Sequence, residues 1–130
     1  MLNSNSVLEN MTISKPSLKT IISLLLFLLA SGIQHDCHEY LSTLKKYTLP
    51  GHPIFQWVLC PHYTCECIIY LALATVAAPK GQVINKTISA ALLFTIANLA
   101  ITAESTRAWY AQKFGTEIIE QRWRMVPMLY

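Results

Sequence analysis

An all-α integral membrane bundle is the fold class this sequence predicts, and three observations predict it. Charged residues make up only 13% of the 130-residue chain and hydrophobic residues 53%, whereas soluble domains carry roughly 25% charge. Three apolar segments recur along the chain, and none of them alternates as a strand does. In lipid only helices and closed barrels satisfy their own backbone, so such segments read as helices. The mean hydropathy of +0.37 excludes a disordered chain, and a conventional soluble domain would need more charge to cover its surface. The net charge of +3 and the sequence pI near 8.7 suit a membrane face or an anionic cofactor. Nucleic acid calls for a concentrated basic patch instead.

Residues 1–17 hold four serines and three asparagines without an apolar period, and read as a flexible polar leader. Residues 18–130 then form one membrane domain. Its first segment, Leu18 to Ile33, is near the lower limit for a bilayer span of about 20 residues, with Lys19 placed to snorkel to the interface. A signal peptide is the rival reading, with Lys15 and Lys19 as its basic region and Ala30-Ser31-Gly32 near the cleavage site. The two further segments favour the span.

The second segment, Cys67 to Ala78, is stopped by Pro79 and reaches spanning length only if its helix starts near Pro61. Proline suits a first helical turn, because the N–H it lacks would go unpaired there. The third runs from Ile88 to Ala103, interrupted by hydroxyls and Asn98. Pro79-Lys80-Gly81-Gln82 forms the short connection. The expected architecture is about three transmembrane helices plus cytosolic loop and tail helices.

Basic residues orient the bundle. Lys45, Lys46, Arg107, Lys113, Arg122 and Arg124 fall on one side, and Lys15, Lys19, Lys80 and Lys86 on the other. The six-to-four split puts the tail and first loop in the cytosol. Asn10-Met11-Thr12 is then a lumenal glycosylation sequon. Asn85-Lys86-Thr87 also reads as one, but lies too near the membrane to expect use.

All four histidines (His35, His38, His52, His62) and all four cysteines (Cys37, Cys60, Cys65, Cys67) lie between residues 35 and 67. Metal is one explanation, though no C-x-x-C or H-x3–5-H pair is present. Disulfides are another, but would need an oxidising compartment, against the charge orientation. The bland reading makes each cysteine a small apolar filler, and for the cysteines alone that reading is preferred.

The histidines invite more. On a helix His62, Glu66 and Tyr70 share one stripe, and an ionisable Glu at that depth usually faces a bundle interior or an aqueous cavity. The bland alternative is a His62–Glu66 staple. His35, His38, Ser42 and Lys45 also share helical spacing, which reads either as a solvated face or as the other wall of the same cavity. Together the stripes offer imidazoles and a lysine, groups that bind phosphates and an amide. In the tail, Trp109, Tyr110, Phe114 and Trp123 surround Arg122 and Arg124. Interfacial anchoring explains these aromatics, and a nucleotide's base and phosphates explain them equally. No Gly-x-Gly-x-x-Gly, P-loop, hydrolase elbow or H-E-x-x-H is present.

These residues carry a resemblance. His35-x-Cys37-His38-x-x-Leu41-x-x-Leu44-Lys45-Lys46 leads to Tyr47-x-Leu49-Pro50-Gly51 and Phe55-x-x-Val58. Pro61-His62-Tyr63-x-x-Glu66-x-x-Ile69-Tyr70 follows, then Trp109-Tyr110-x-x-x-Phe114, Arg122 and Pro127. Over about 95 residues from position 34 on, the chain resembles the carboxyl-terminal half of the steroid 5-alpha-reductase family. Within that family it is most similar to the polyprenol (polyprenal) reductase branch, in a fungal-like form.

The resemblance implies a multi-pass endoplasmic-reticulum enzyme that holds NADPH in a membrane cavity open to the cytosol. It implies reduction of the alpha-beta double bond of a polyisoprenoid lipid, polyprenal to dolichal, on the route to dolichol for protein N-glycosylation. His38, Lys45, Tyr47, His62, Glu66, Tyr110 and Arg122 fall where the family surrounds its cofactor. Membrane lipids are the other expected partners, and nucleic acid and metal are not expected.

The departures are specific. The family's amino-terminal half, with the residues that polarise the substrate carbonyl, has no counterpart here, so catalytic residues are not assigned. Thr48 replaces a common basic residue, and the Lys46–Tyr47 connection is short. Thr106 and Arg107 stand where steroid-reducing relatives carry histidines. The chain therefore reads as an incomplete member carrying the cofactor-binding half. A non-catalytic membrane scaffold or truncated remnant is the alternative, and a metal-binding membrane protein a second.

Overall fold

The computed structural model describes residues 15–130. The Asn10 sequon and most of the polar leader lie outside the described residues. Five helices follow in order: α1 (Leu18–Thr43), α2 (Pro53–Trp57), α3 (Pro61–Val76), α4 (Lys86–Phe114) and α5 (Thr116–Glu120). Among the described residues there is no strand, only an isolated parallel bridge between Val58 and Trp123.

Each long helix begins where local chemistry dictates. Ser17 caps α1, its Oγ accepting from the Thr20 N–H at 3.3 Å. The cap satisfies a backbone donor that the first turn leaves open. Pro61 opens α3 from its first turn, as expected. Asn85 caps α4, accepting from the Thr87 and Ile88 N–H groups at 3.0 and 3.1 Å, while its Nδ2 donates to the Ala77 carbonyl at 3.0 Å. The second sequon is therefore a helix cap.

Two helices outrun the apolar segments that announced them. α1 has 26 residues, about 39 Å at 1.5 Å per residue, and continues through His35 and His38 to Thr43. α4 has 29 residues and continues past Ala103 to Phe114, so Arg107, Trp109, Tyr110 and Lys113 sit on a membrane helix and not in a separate tail. Residues 104–114 contain no glycine or proline, and nothing stops the helix until Gly115. Gly115 has φ +98°, a conformation L residues adopt only with strain. α1 and α4 are long and apolar enough to cross a bilayer. α3 has 16 residues, about 24 Å, against a hydrocarbon core of about 30 Å.

α3 lies at the centre, packed on α1 along one side and α4 along another. Small residues make the α1–α3 approach close. Ser23, Ala30 and Cys37 recur every seven residues on α1 and are buried, as are Cys65, Ala72 and Ala74 on α3. Such stripes let helix backbones approach where no hydrophobic force drives association. Ser23 and Thr75 share a hydroxyl hydrogen bond of 2.6 Å across the seam. Ser23 pairs with the end of α3 and Gln34 with its beginning, so the two helices are antiparallel.

At the other end, residues 121–130 fold back over the bundle. The Leu59 and Cys60 N–H groups donate to the Trp123 and Arg124 carbonyls at 2.8 and 2.9 Å. The returning segment closes a core of Leu59, Cys60, Ala103, Ile119 and Met125. The flanks of α1 and α4, including Leu25, Leu28, Leu29, Leu93 and Ile101, stay exposed. This is the face a bilayer covers. The fold is an all-α membrane bundle.

Candidate functional site: a histidine and carboxamide cavity among three helices

The two polar stripes meet in part: His38 of the first and His62 and Glu66 of the second line one cavity, while His35, Ser42 and Tyr70 lie outside its lining. The antiparallel packing of α1 on α3 places the carboxyl-terminal part of α1 beside the first turns of α3, and α4 closes the third side. The resulting cavity of about 280 Å³ is lined by Gln34 and His38 of α1, His62, Tyr63 and Glu66 of α3, and Thr95 and Asn98 of α4, among others. His38 and His62 meet with ring centroids 5.2 Å apart. Tyr63 stands edge-on to His62 at 4.3 Å. The Gln34 Nε2 donates to a Glu66 carboxylate oxygen, which fixes that carboxylate and leaves its other oxygen without an assigned donor.

The bland staple is not what forms, since Glu66 pairs with Gln34 across the seam and not with His62. The His62 Nδ1 is buried and has no hydrogen-bond partner in the protein. A buried nitrogen in that condition is a group that a ligand or water satisfies. The cavity thus offers two imidazoles, a carboxylate and two carboxamides. That donor and acceptor set matches an amide and sugar hydroxyls better than hydrocarbon.

The other four expected site residues lie outside this lining. Lys45 is exposed just beyond α1. Tyr47 is exposed, with φ +67°, and the Lys113 Nζ sits 3.8 Å from its ring centroid. Trp109 lies 6.0 Å from Tyr47 and 5.2 Å from Tyr110, so these rings form a platform on α4 beside the loop. Tyr110 also packs on the core cluster. Arg122 donates from Nη1 to the Pro50 and Phe55 carbonyls at 3.3 and 3.1 Å, tying the loop to the returning segment.

Three contributors went unforeseen. Gln34 lies four residues before His38, one turn along the same face, and that spacing would have found it. Asn98 stood out only as an interruption of an apolar run. Lys113 was counted for its charge alone.

The cysteines take the bland role. Cys37 and Cys65 fill the α1–α3 seam and Cys60 lies in the core. All four are free thiols. Burial pushes the Cys60 thiol up to about 12. Among the described residues, no three His, Cys, Asp or Glu side chains come together to hold a metal.

The arrangement defines a membrane-embedded helical protein with a polar cavity at the meeting of three helices. The family described as 3-oxo-5-alpha-steroid 4-dehydrogenase matches residues 5–130, and the chain belongs to that family. The match starts well before the residues that carried the resemblance. The chain is 36% identical to the polyprenal reductase of Saccharomyces cerevisiae over 101 residues, 78% of this chain and 37% of that protein. It is 30% identical to polyprenal reductase 1 of Oryza sativa subsp. indica over 95% of this chain and 36% of that protein. With the polyprenal reductase of Xenopus tropicalis it shares 28% identity, over 95% of this chain and 44% of that protein. The chain thus spans little more than a third of the length of the first of these relatives. No solved structure matches it.

Proposed function

We propose that this chain carries the NADPH-binding part of a polyprenal reductase, an oxidoreductase acting on the alpha-beta double bond of a polyisoprenoid aldehyde. The observation that carries the reading is the convergence of His38, His62 and Glu66 in one cavity of a chain belonging to this family. Relatives bearing the name polyprenal reductase supply the substrate class.

The cavity suits one end of the cofactor and is too small for the whole. At about 280 Å³ it lies just below the range of roughly 300–1,000 Å³ for drug-sized ligands. Glu66, held by Gln34, would accept from an amide or hydroxyl. Asn98 offers both a donor and an acceptor, and the His62 Nδ1 gains the partner it lacks. The remainder of the dinucleotide would extend over the loop, where Lys45 and Lys113 present cations and Tyr47, Trp109 and Tyr110 present rings for stacking. Arg122 would act there chiefly by holding the loop, since Nη1 is committed to two carbonyls.

When bound, the nicotinamide supplies the hydride. The protein's part is to orient that ring, which the Gln34-held Glu66 carboxylate and the unpartnered His62 Nδ1 support. The reading places the chain in the endoplasmic-reticulum membrane with its carboxyl-terminal end cytosolic, in keeping with the distribution of its basic residues. Purified chain in detergent, titrated with NADPH and with NADH, tests the proposal. Saturable binding that prefers NADPH supports it, and folded protein that binds neither contradicts it.

A further inference from the structure

The two ends of the bundle differ electrically. α1 and α4 begin, and α3 finishes, at the end closed by the 77–85 connection. Lys15 and Lys19 stand at the start of α1, Lys80 lies in the connection, and Lys86 opens α4. The Lys19 Nζ donates to the Gln82 carbonyl at 3.3 Å. The start of α1 therefore touches the connection that carries Lys80 and leads into Lys86. Lys15, Lys80 and Lys86 are exposed, and none of the four lysines is ion-paired with a described residue.

No described carboxylate answers them. Asp36, Glu39, Glu66, Glu104, Glu117 and Glu120, which are all the described acidic residues, lie toward the opposite end. There they face six lysines and arginines, so that end is formally neutral. The net positive charge of the described residues gathers at the lysine end. Neither α1 nor α4 has an acidic residue in its first turn, where a carboxylate would balance the positive end of the helix. Lys19 and Lys86 stand there instead. Cations gathered in this way repel one another, and an anion among them relieves the repulsion.

The surroundings say where that anion resides. Leu18 and Val83 are 73% and 70% exposed beside these lysines, so the patch sits at the edge of the hydrocarbon. Lysine stems lie along apolar surface and carry their ammonium groups to the level of lipid phosphates. A zwitterionic headgroup brings a cation of its own and gains little net attraction there. A headgroup with net negative charge gains the full field of the cluster.

We propose that this end is a docking surface for anionic phospholipid headgroups, selected by the charge of Lys15, Lys19, Lys80 and Lys86. The surface lies at the end of the bundle away from the cavity of His38 and His62, and the assignment stands apart from the reductase reading. It concerns the leaflet that the lysine end meets.

The test reconstitutes the full chain in phosphatidylcholine bilayers holding a trace of spin-labelled phosphatidylglycerol or spin-labelled phosphatidylcholine. Electron paramagnetic resonance separates protein-bound from free lipid. Phosphatidylglycerol should associate about fivefold more strongly, the worth of one lysine beside an anionic surface. The preference should weaken as salt is added. Lys80→Gln/Lys86→Gln should abolish most of it, and Lys80→Arg/Lys86→Arg should keep it. Lys15→Gln/Lys80→Gln, outside every helix, decides the matter if the first pair does not fold. Lys46→Gln, at the opposite end, should leave the preference unchanged.

Equal association of the two lipids with the wild-type chain overturns the assignment. So does a preference that survives both glutamine pairs. Inorganic phosphate that abolishes the preference, where chloride of equal ionic strength does not, overturns the lipid as the source of the anion.

Discussion

His38 of α1 and His62 of α3 face each other edge to face, with ring centroids 5.2 Å apart and planes inclined by 61°. They come from segments separated by a loop and a short helix, and only the antiparallel packing of α1 on α3 brings them together. Small residues at the seam make that packing possible. The candidate site is therefore a product of helix packing, and its properties follow from the seam that builds it.

Gln34 orients Glu66, so its removal should be felt at the cavity without a change of fold. Gln34→Leu keeps a similar volume and leaves the Glu66 carboxylate without its amide donor. NADPH affinity should fall by about tenfold, the order expected when a charge-assisted hydrogen bond loses one partner. Fluorescence titration reads the change, and Gln34→Asn should recover part of it. Equal affinity for Gln34→Leu and wild type would show that the bond has no part in binding.

The α1–α3 seam tolerates no added bulk. Ala30→Leu inserts three heavy atoms where Ala30 is 5% exposed, and overpacking of this kind costs about 1–3 kcal/mol. Leu28→Ala, on the exposed flank of the same helix, should change stability by less than about 0.5 kcal/mol. Thermal melting in detergent compares them, and equal melting shifts would contradict the seam.

Arg122 holds the loop through two carbonyls. Arg122→Ala should destabilise the protein without cofactor by about 1–3 kcal/mol, since a charged donor is removed from two acceptors. Arg122→Lys should restore only part of this, because a flexible ammonium is not held, as the rigid guanidinium is, where one nitrogen meets both carbonyls. Unchanged melting of Arg122→Ala would contradict this loop-holding role.

Cys60 sets a pH dependence. Burial raises its thiol to about 12 in the folded chain from an ordinary value of 9.0. A folded-state pKa above the unfolded one means that the buried neutral thiol contributes its full stability below pH 9.0 and loses it progressively toward about 12. The melting temperature should fall over that window, and less steeply in Cys60→Ala. Parallel curves for the two proteins would contradict the assignment.

Much of this architecture was legible because apolar runs, Pro61 at a helix start and the i, i+4 stripe of His62 and Glu66 act locally. The extent of α1 and α4 was less legible. Residues 34–43 and 104–114 are polar enough to resemble loops, yet contain nothing that breaks a helix, and propensity carried both helices to Thr43 and Gly115. The convergence of His38 with His62 was anticipated from spacing. The retreat of Arg122 to backbone carbonyls was not, because it depends on a segment folding back over residues far away in sequence. The same holds for the Tyr130 hydroxyl, which donates to the Ala100 carbonyl across 30 residues of sequence.

The NADPH affinity of His62→Ala and Glu66→Ala beside the wild-type chain in detergent, with folding of each confirmed by its melting, tests the cavity assignment at its two defining side chains. Saturable wild-type binding, weakened about tenfold or more in both variants, is the expected result. Unchanged affinity in both would place any cofactor elsewhere and contradict the cavity assignment.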